Sequence, residues 1–255
     1  MRVSAYFIWP CVFIGQLLTT SLLAWHLLAQ IDFAYPTGYK LLHLDKNIAE
    51  FAPLNHYKKG FEYTTAEEHW GLFAQITDAV QHQGKGLAEI SYRLPNGIKT
   101  ALMRSEEITH LQDVSHLIDT FYKVGLAGLL VWSAAFFIAY RQKLPFPSLR
   151  NMALGFSGGI LIIASIILTI GATKVFYWFH TKIFPSGHQW FFYYEDSLMT
   201  TLMKAPDIFA FIACLLTLVL CIIWGSTTYL MWRSTGQIAQ RTSSLKKLKR
   251  KNKQR

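Results

Sequence analysis

Four stretches of this chain, residues 7–29, 118–140, 152–178 and 208–232, are almost unbroken in apolar side chains, while the polar residues collect between them. A hydrocarbon core of about 30 Å takes about 20 helical residues to cross. Backbone N–H and C=O groups have no water to bond in lipid, so each run must satisfy its own backbone as a helix. The expectation is a mainly α membrane protein with four transmembrane helices. The first run is longer than the apolar core of a signal peptide, and Leu27-Leu28-Ala29 makes a poor cleavage site, so it reads as a retained span.

Residues 30–117 are long enough for a small α+β domain between spans one and two. Thr65, with Glu68 three residues on, has the capping-box spacing, and Trp70, Phe73, Ile76 and Val80 then recur at helical intervals up to a stop at Gly84. Residues 87–93 and 98–103 flank Pro95-Asn96-Gly97 and read as a β-hairpin. Turn signals at Pro36-Thr37-Gly38 and Pro53 divide the rest without naming an element. Ser105 is placed to cap a helix opening on Glu106 and Glu107, which suit the positive end of the dipole. That helix should run unbroken into span two, with His110 and Asp113 on one face. Residues 179–207 form a second loop whose Trp190, Phe191, Phe192, Tyr193 and Tyr194 read as an interfacial aromatic belt.

Charge orients this arrangement. Residues 241–255 hold eight basic side chains and no acid, so the rest of the chain carries only +2 of the net +10. The connection 141–151, with Arg141, Lys143 and Arg150, is also basic and acid-free, and Arg2 agrees. Cytoplasmic loops carry such an excess. Both termini are therefore expected in the cytoplasm, with residues 30–117 and 179–207 extracytoplasmic. The tail 233–255 suits anionic membrane lipids, and without an accompanying domain it does not indicate nucleic acid. Cys11, Cys214 and Cys221 fall within the spans and have no metal-binding spacing.

Little of the chain carries an obvious chemical motif. Gly155-Phe-Ser157-Gly-Gly159 matches a nucleophile elbow, but that motif needs a strand before it, and here a membrane helix surrounds it. Gly155 and Gly159 instead have the spacing for close helix packing. Among the nine histidines, neither His110 with His116 nor His180 with His188 forms a zinc pattern with Asp113, Glu195 or Asp196, and no metal is expected. His26, His43, His56, His69 and His82 read as polar surface.

His110 and His180 stand apart because each lies just outside a span, at what should be the same membrane face. The segment His110-Leu-x-Asp113-Val114 before span two resembles the bacterial lipoprotein intramolecular transacylase family. So does the series Phe179-His180, Phe184-Pro185, Gly187, Trp190, Asp196, Leu198, Pro206 and Phe209 after span three. The spacing from His180 to Trp190 is longer than in the family and the basic tail is more pronounced.

The resemblance implies an enzyme of the bacterial cytoplasmic membrane, with its site at the outer leaflet. It would move the sn-2 acyl chain of a diacylglyceryl-cysteine lipoprotein onto that cysteine's own α-amino group. The partners are then diacylglyceryl-modified lipoproteins and membrane lipids. Turning an ester into an amide runs downhill, so no cofactor is implied. His110 and His180 would be the catalytic acid and base, supported by Asp113, Arg104 and Trp190. An acyl-imidazole route stays open beside direct transfer. Acyl chains would lie against Phe121, Phe176 and Phe179. A non-catalytic membrane binding or accessory protein is the competing reading.

Overall fold

A computed structural model describes residues 5–252, with side chains described for residues 5–236. In chain order the elements are α1 (Ala5–Ala29), α2 (Tyr35–Leu41), α3 (Leu44–Phe51), α4 (Ala66–Gln81), the antiparallel pair β1 (Ser91–Arg93) and β2 (Lys99–Ala101), α5 (Ser105–Arg141), α6 (Leu149–Ile170), α7 (Ala172–Ile183), α8 (Leu198–Met203) and α9 (Asp207–Asn252). Four of these are long and apolar enough to cross a membrane: α1, α5, α6 and the Asp207–Gly236 part of α9. Arg2 and the basic side chains of residues 241–255 lie outside the described residues.

The third apolar run departs from expectation. Residues 152–178 do not form one helix: α6 ends at Ile170, and α7 starts afresh after Gly171, whose φ of +95° and ψ of 132° lie outside helical space. Only glycine occupies that region without a Cβ clash. Hydropathy does not register the break, because apolar residues continue through it. The second span behaves as expected, since α5 continues without interruption from Ser105 to Arg141.

The chain divides into two compact units. The first gathers Met1–Ala24, Lys123–Ile166 and Leu218–Arg255. Its core is Ile8, Trp9 and Val12 of α1 against Ala139 of α5 and Met231 of α9. Helices α1 and α5 touch through their backbones: a Cβ on Gly15 would lie 2.7 Å from both the Gly128 carbonyl oxygen and the Trp132 nitrogen. Buried Gln16 points its amide nitrogen at Trp224 O (3.1 Å), Thr227 Oγ1 (2.8 Å) and Thr228 Oγ1 (2.9 Å), a polar link between α1 and α9. Gly155 and Gly159 do not act as the sequence suggested. Nothing lies within 4 Å of a Cβ placed on either, so the close approach falls at Gly15 and Gly128.

The second unit is Trp25–Tyr122 with Ile167–Thr217. Thr65 caps α4 by accepting from Glu68 N at 3.3 Å. Glu68 does not complete the box: its carboxylate accepts from Arg93 N at 3.0 Å and ties the helix to β1. The hairpin forms about Gly97, at φ +85°, with Ser91 opposite Ala101. The buried face of α4 stacks Phe73 on Tyr35 of α2, ring centroids 4.0 Å apart. Residues 179–207, read as an aromatic loop, contain the end of α7 and all of α8. Asn47 donates to Thr201 O at 2.8 Å and Tyr35 to Leu202 O at 2.6 Å, so this segment belongs to the same core.

Candidate active site

His110 lies in the second turn of α5, ahead of the apolar part of that helix, and only 9% of its surface is exposed. His180 is carried by α7. Their ring centroids are 6.2 Å apart. Phe184 lies beside both, at 4.8 Å from His110 and 5.2 Å from His180. Trp190 packs on His180 at 4.9 Å, and Phe192 stands 6.1 Å from His110. Both imidazoles face one cavity of about 350 Å³, walled by apolar residues of α4, α5, α7, α8 and α9 that include Phe73, Ile76, Phe176, Met203 and Phe209. That volume is in the range of small-molecule pockets.

The environment sets the chemistry of the rings. His110 is pulled down to about 4, chiefly because burial penalises the cation and secondarily because a charge on His180 would repel it; Asp113 opposes both weakly. His180 is also lowered by burial, against the upward pull of its bond to the Phe176 carbonyl. That bond, 2.8 Å from Nδ1, fixes the tautomer. A carbonyl only accepts, so Nδ1 carries the hydrogen and Nε2 keeps its lone pair. At neutral pH both rings are uncharged, and one presents a defined basic nitrogen.

The supporting residues divide. Trp190 lines the cavity, as do Phe176 and Phe179, but Phe121 does not and instead sets its ring edge-on to Trp25 at 6.2 Å. Asp113 gives its carboxylate to His188 Nδ1 at 2.6 Å, not to His110, which it reaches only through space. Arg104 stands outside the cavity lining. Its guanidinium lies 4.4 Å over the Tyr57 ring, and its backbone N–H donates to Glu107 at 2.7 Å. Helix α5 is therefore capped one residue earlier than Ser105, by Glu107 reaching back to Arg104.

Several residues that matter here were invisible in the sequence. Glu107, read as a dipole-favouring acid, is wholly buried and also accepts from Ser197 Oγ, the cap of α8. Its carboxyl is pushed up by burial, against the downward pull of those donors and of Arg104 and Lys58. The Arg104-x-x-Glu107 spacing was the only sequence signal available. His69, read as polar surface, is buried between the Tyr39 hydroxyl (2.9 Å) and Thr64 Oγ1 (2.7 Å). His56 is exposed, as read, and additionally holds Asp196 at 2.8 Å. Among the described residues no three His, Cys, Asp or Glu side chains gather to hold an ion.

The family model of the lipoprotein intramolecular transacylase Lit matches residues 12–206, a stretch that includes both histidines and every wall of the cavity except Phe209 and Ile212. The chain belongs to that family. It is a multi-pass membrane protein with a transacylase, and hence acyltransferase, activity. The fold agrees with a solved structure of the membrane-integral lipoprotein intramolecular transacylase Lit from Bacillus cereus, crystallised in meso as a histidine-to-arginine variant. The likeness has a TM-score of 0.66 at 16% identity and covers 93% of this chain and 94% of that one. No curated protein matches the chain.

Proposed function

We propose that this transacylase moves the sn-2 acyl chain of a diacylglyceryl-cysteine lipoprotein onto the α-amino group of the same cysteine, with His180 as base and His110 as hydrogen-bond donor. One observation carries the reading: two imidazoles, 6.2 Å apart, on the wall of one apolar cavity whose burial disfavours their cations. The amine titrates at about 7.7–8.0 when free, and an apolar cavity favours its neutral, attacking form. As nitrogen bonds to the ester carbon it turns strongly acidic, and His180 Nε2 takes its proton. His110, held neutral, offers an N–H to the developing oxyanion. The C–O bond to the glyceryl oxygen then breaks, and the imidazolium returns the proton to that oxygen. The products are an amide and a free glyceryl hydroxyl, so protons balance without a co-reactant. Acid–base help of this kind is worth roughly 10²–10⁴-fold, and the tether between amine and ester supplies proximity.

The orientation belongs to the same proposal. The basic tail and the basic connection 141–151 hold both termini in the cytoplasm, which sets the cavity at the outer leaflet, where diacylglyceryl lipoproteins are anchored. The basic composition of residues 241–255 suits anionic lipid headgroups. To test the reaction, the chain is expressed in a bacterium whose lipoproteins keep a free α-amine. N-terminal peptides are then weighed for wild type, His110→Ala and His180→Ala. An acyl group on the amine, missing from the glycerol and lost in both variants at equal expression, is the expected result. An unchanged diacyl anchor beside well-inserted wild type refutes the reading.

A further inference from the structure

The guanidinium of Arg104 is held in place without being used up. Tyr57 stacks on it at 4.4 Å, and Phe192, whose ring also stands 6.1 Å from His110, lies 6.0 Å away. Tyr57 is itself steadied: its N–H and that of Lys58 both donate to Asn55 Oδ1, at 3.0 and 2.8 Å. Glu107 lies 3.6 Å from Nε and Glu106 3.9 Å from Nη1. Yet the guanidinium makes no hydrogen bond to any described residue: buried Nε has only the Glu107 carboxylate, at ion-pair distance, beside it. The donors of this planar fork are thus held in place without a hydrogen-bonded acceptor.

We propose that Arg104 binds main-chain carbonyls of the substrate, two to three residues after the acylated cysteine. The proposal rests on the reaction described above. Arg104 precedes His110 by six positions, about 9 Å along a helix axis. An extended peptide whose amine sits at the imidazoles covers that distance in about three residues, at about 3.3–3.6 Å each. Charge selects the acceptor. Lys58 and Arg104 offset Glu106 and Glu107, and Lys58 is already occupied by the carbonyls of Ala101 and Met103. With no surplus positive charge, the fork suits a neutral carbonyl better than a phosphate or carboxylate. Arg104 is then a substrate-binding residue serving the peptide, while the cavity serves the lipid.

The test compares two synthetic substrates in detergent micelles: S-diacylglyceryl-cysteine amide, and the same lipid on cysteine followed by three serines. Wild type is expected to favour the longer substrate roughly tenfold in kcat/KM, the scale of a charge-assisted hydrogen bond. In Arg104→Gln that ratio falls toward one. Tyr57→Leu, at a side chain 62% exposed and so outside the core, lowers it as well. Equal rates for both substrates with wild type, or a ratio unmoved in both variants, overturns the proposal. So does a length advantage that appears only when the serines are replaced by aspartates, which would make the occupant an anion. Wild type inactive on either substrate fails the underlying reaction instead.

Discussion

Ser197→Ala is a small change with a large expected effect. The hydroxyl gives its hydrogen to the buried carboxylate of Glu107 and accepts from Thr200 N at 2.9 Å, so it fastens the start of α5 to the start of α8. Glu107 has no exposed surface, and water cannot replace the lost donor. A hydrogen bond to a charged group is worth about 1.5–3 kcal/mol, and a lost N-cap adds about 0.5–2 kcal/mol. The sum predicts a loss of about 2–5 kcal/mol, read as a drop in melting temperature of the detergent-purified protein. Glu107→Gln removes the charge but keeps an acceptor for Arg104 N and should cost less, about 1 kcal/mol.

The two changes should not add, because either one ends the same bond; a coupling above about 1 kcal/mol is expected in the double variant. The pH dependence has a sign. Burial raises Glu107 above its unfolded value, so the group favours the fold when protonated and loses that contribution as pH rises through its folded pKa. The deficit of Ser197→Ala should therefore shrink at low pH, when each variant is compared with wild type at the same pH. Losses that add within about 0.5 kcal/mol, or a deficit independent of pH, would refute the view that a buried charge is what Ser197 satisfies.

Three further outcomes are expected. His69 is lowered to about 4 by burial, below its unfolded value of about 6.5, so its contribution is complete above 6.5 and is lost as pH falls toward 4; His69→Gln should flatten an acid destabilisation of order 3 kcal/mol in pH-dependent melting. Gly128→Ala, whose Cβ would meet Leu18 Cβ at 2.8 Å, should cost about 1–3 kcal/mol, whereas Gly159→Ala, facing open space, should be within about 0.5 kcal/mol of wild type by the same melting assay. Gly171→Ala forces a side chain into φ +95° at a cost of about 1–3 kcal/mol and displaces α7, so transfer measured by mass spectrometry should fall further than His180 exposure to solvent alone explains; unchanged transfer would show that the break between α6 and α7 is dispensable.

The linear chain announces what depends on neighbours a few residues apart. Unbroken apolar runs must become helices in lipid, so the four spans were legible, as were the Thr65 cap, the turn at Gly97 and the continuous helix carrying His110. The family likeness in the two histidine segments was legible for the same reason, since each is a short contiguous string. Contacts between distant segments left no such mark. Glu107 looks like any acid at a helix start until Ser197, ninety positions on, fills its second oxygen. Asp113 looked like a partner for His110, three residues away, and chose His188 because the 184–192 segment folds back beside α5. Gly155 and Gly159 carry the packing spacing, but no backbone arrives there, while Gly15 and Gly128, with no motif between them, are where two helices meet. Burial completes the account: the same imidazole that titrates near 6.5 in water is driven to about 4 at positions 69 and 110. That shift comes from water excluded by side chains drawn from the whole unit, and no local string of residues encodes it.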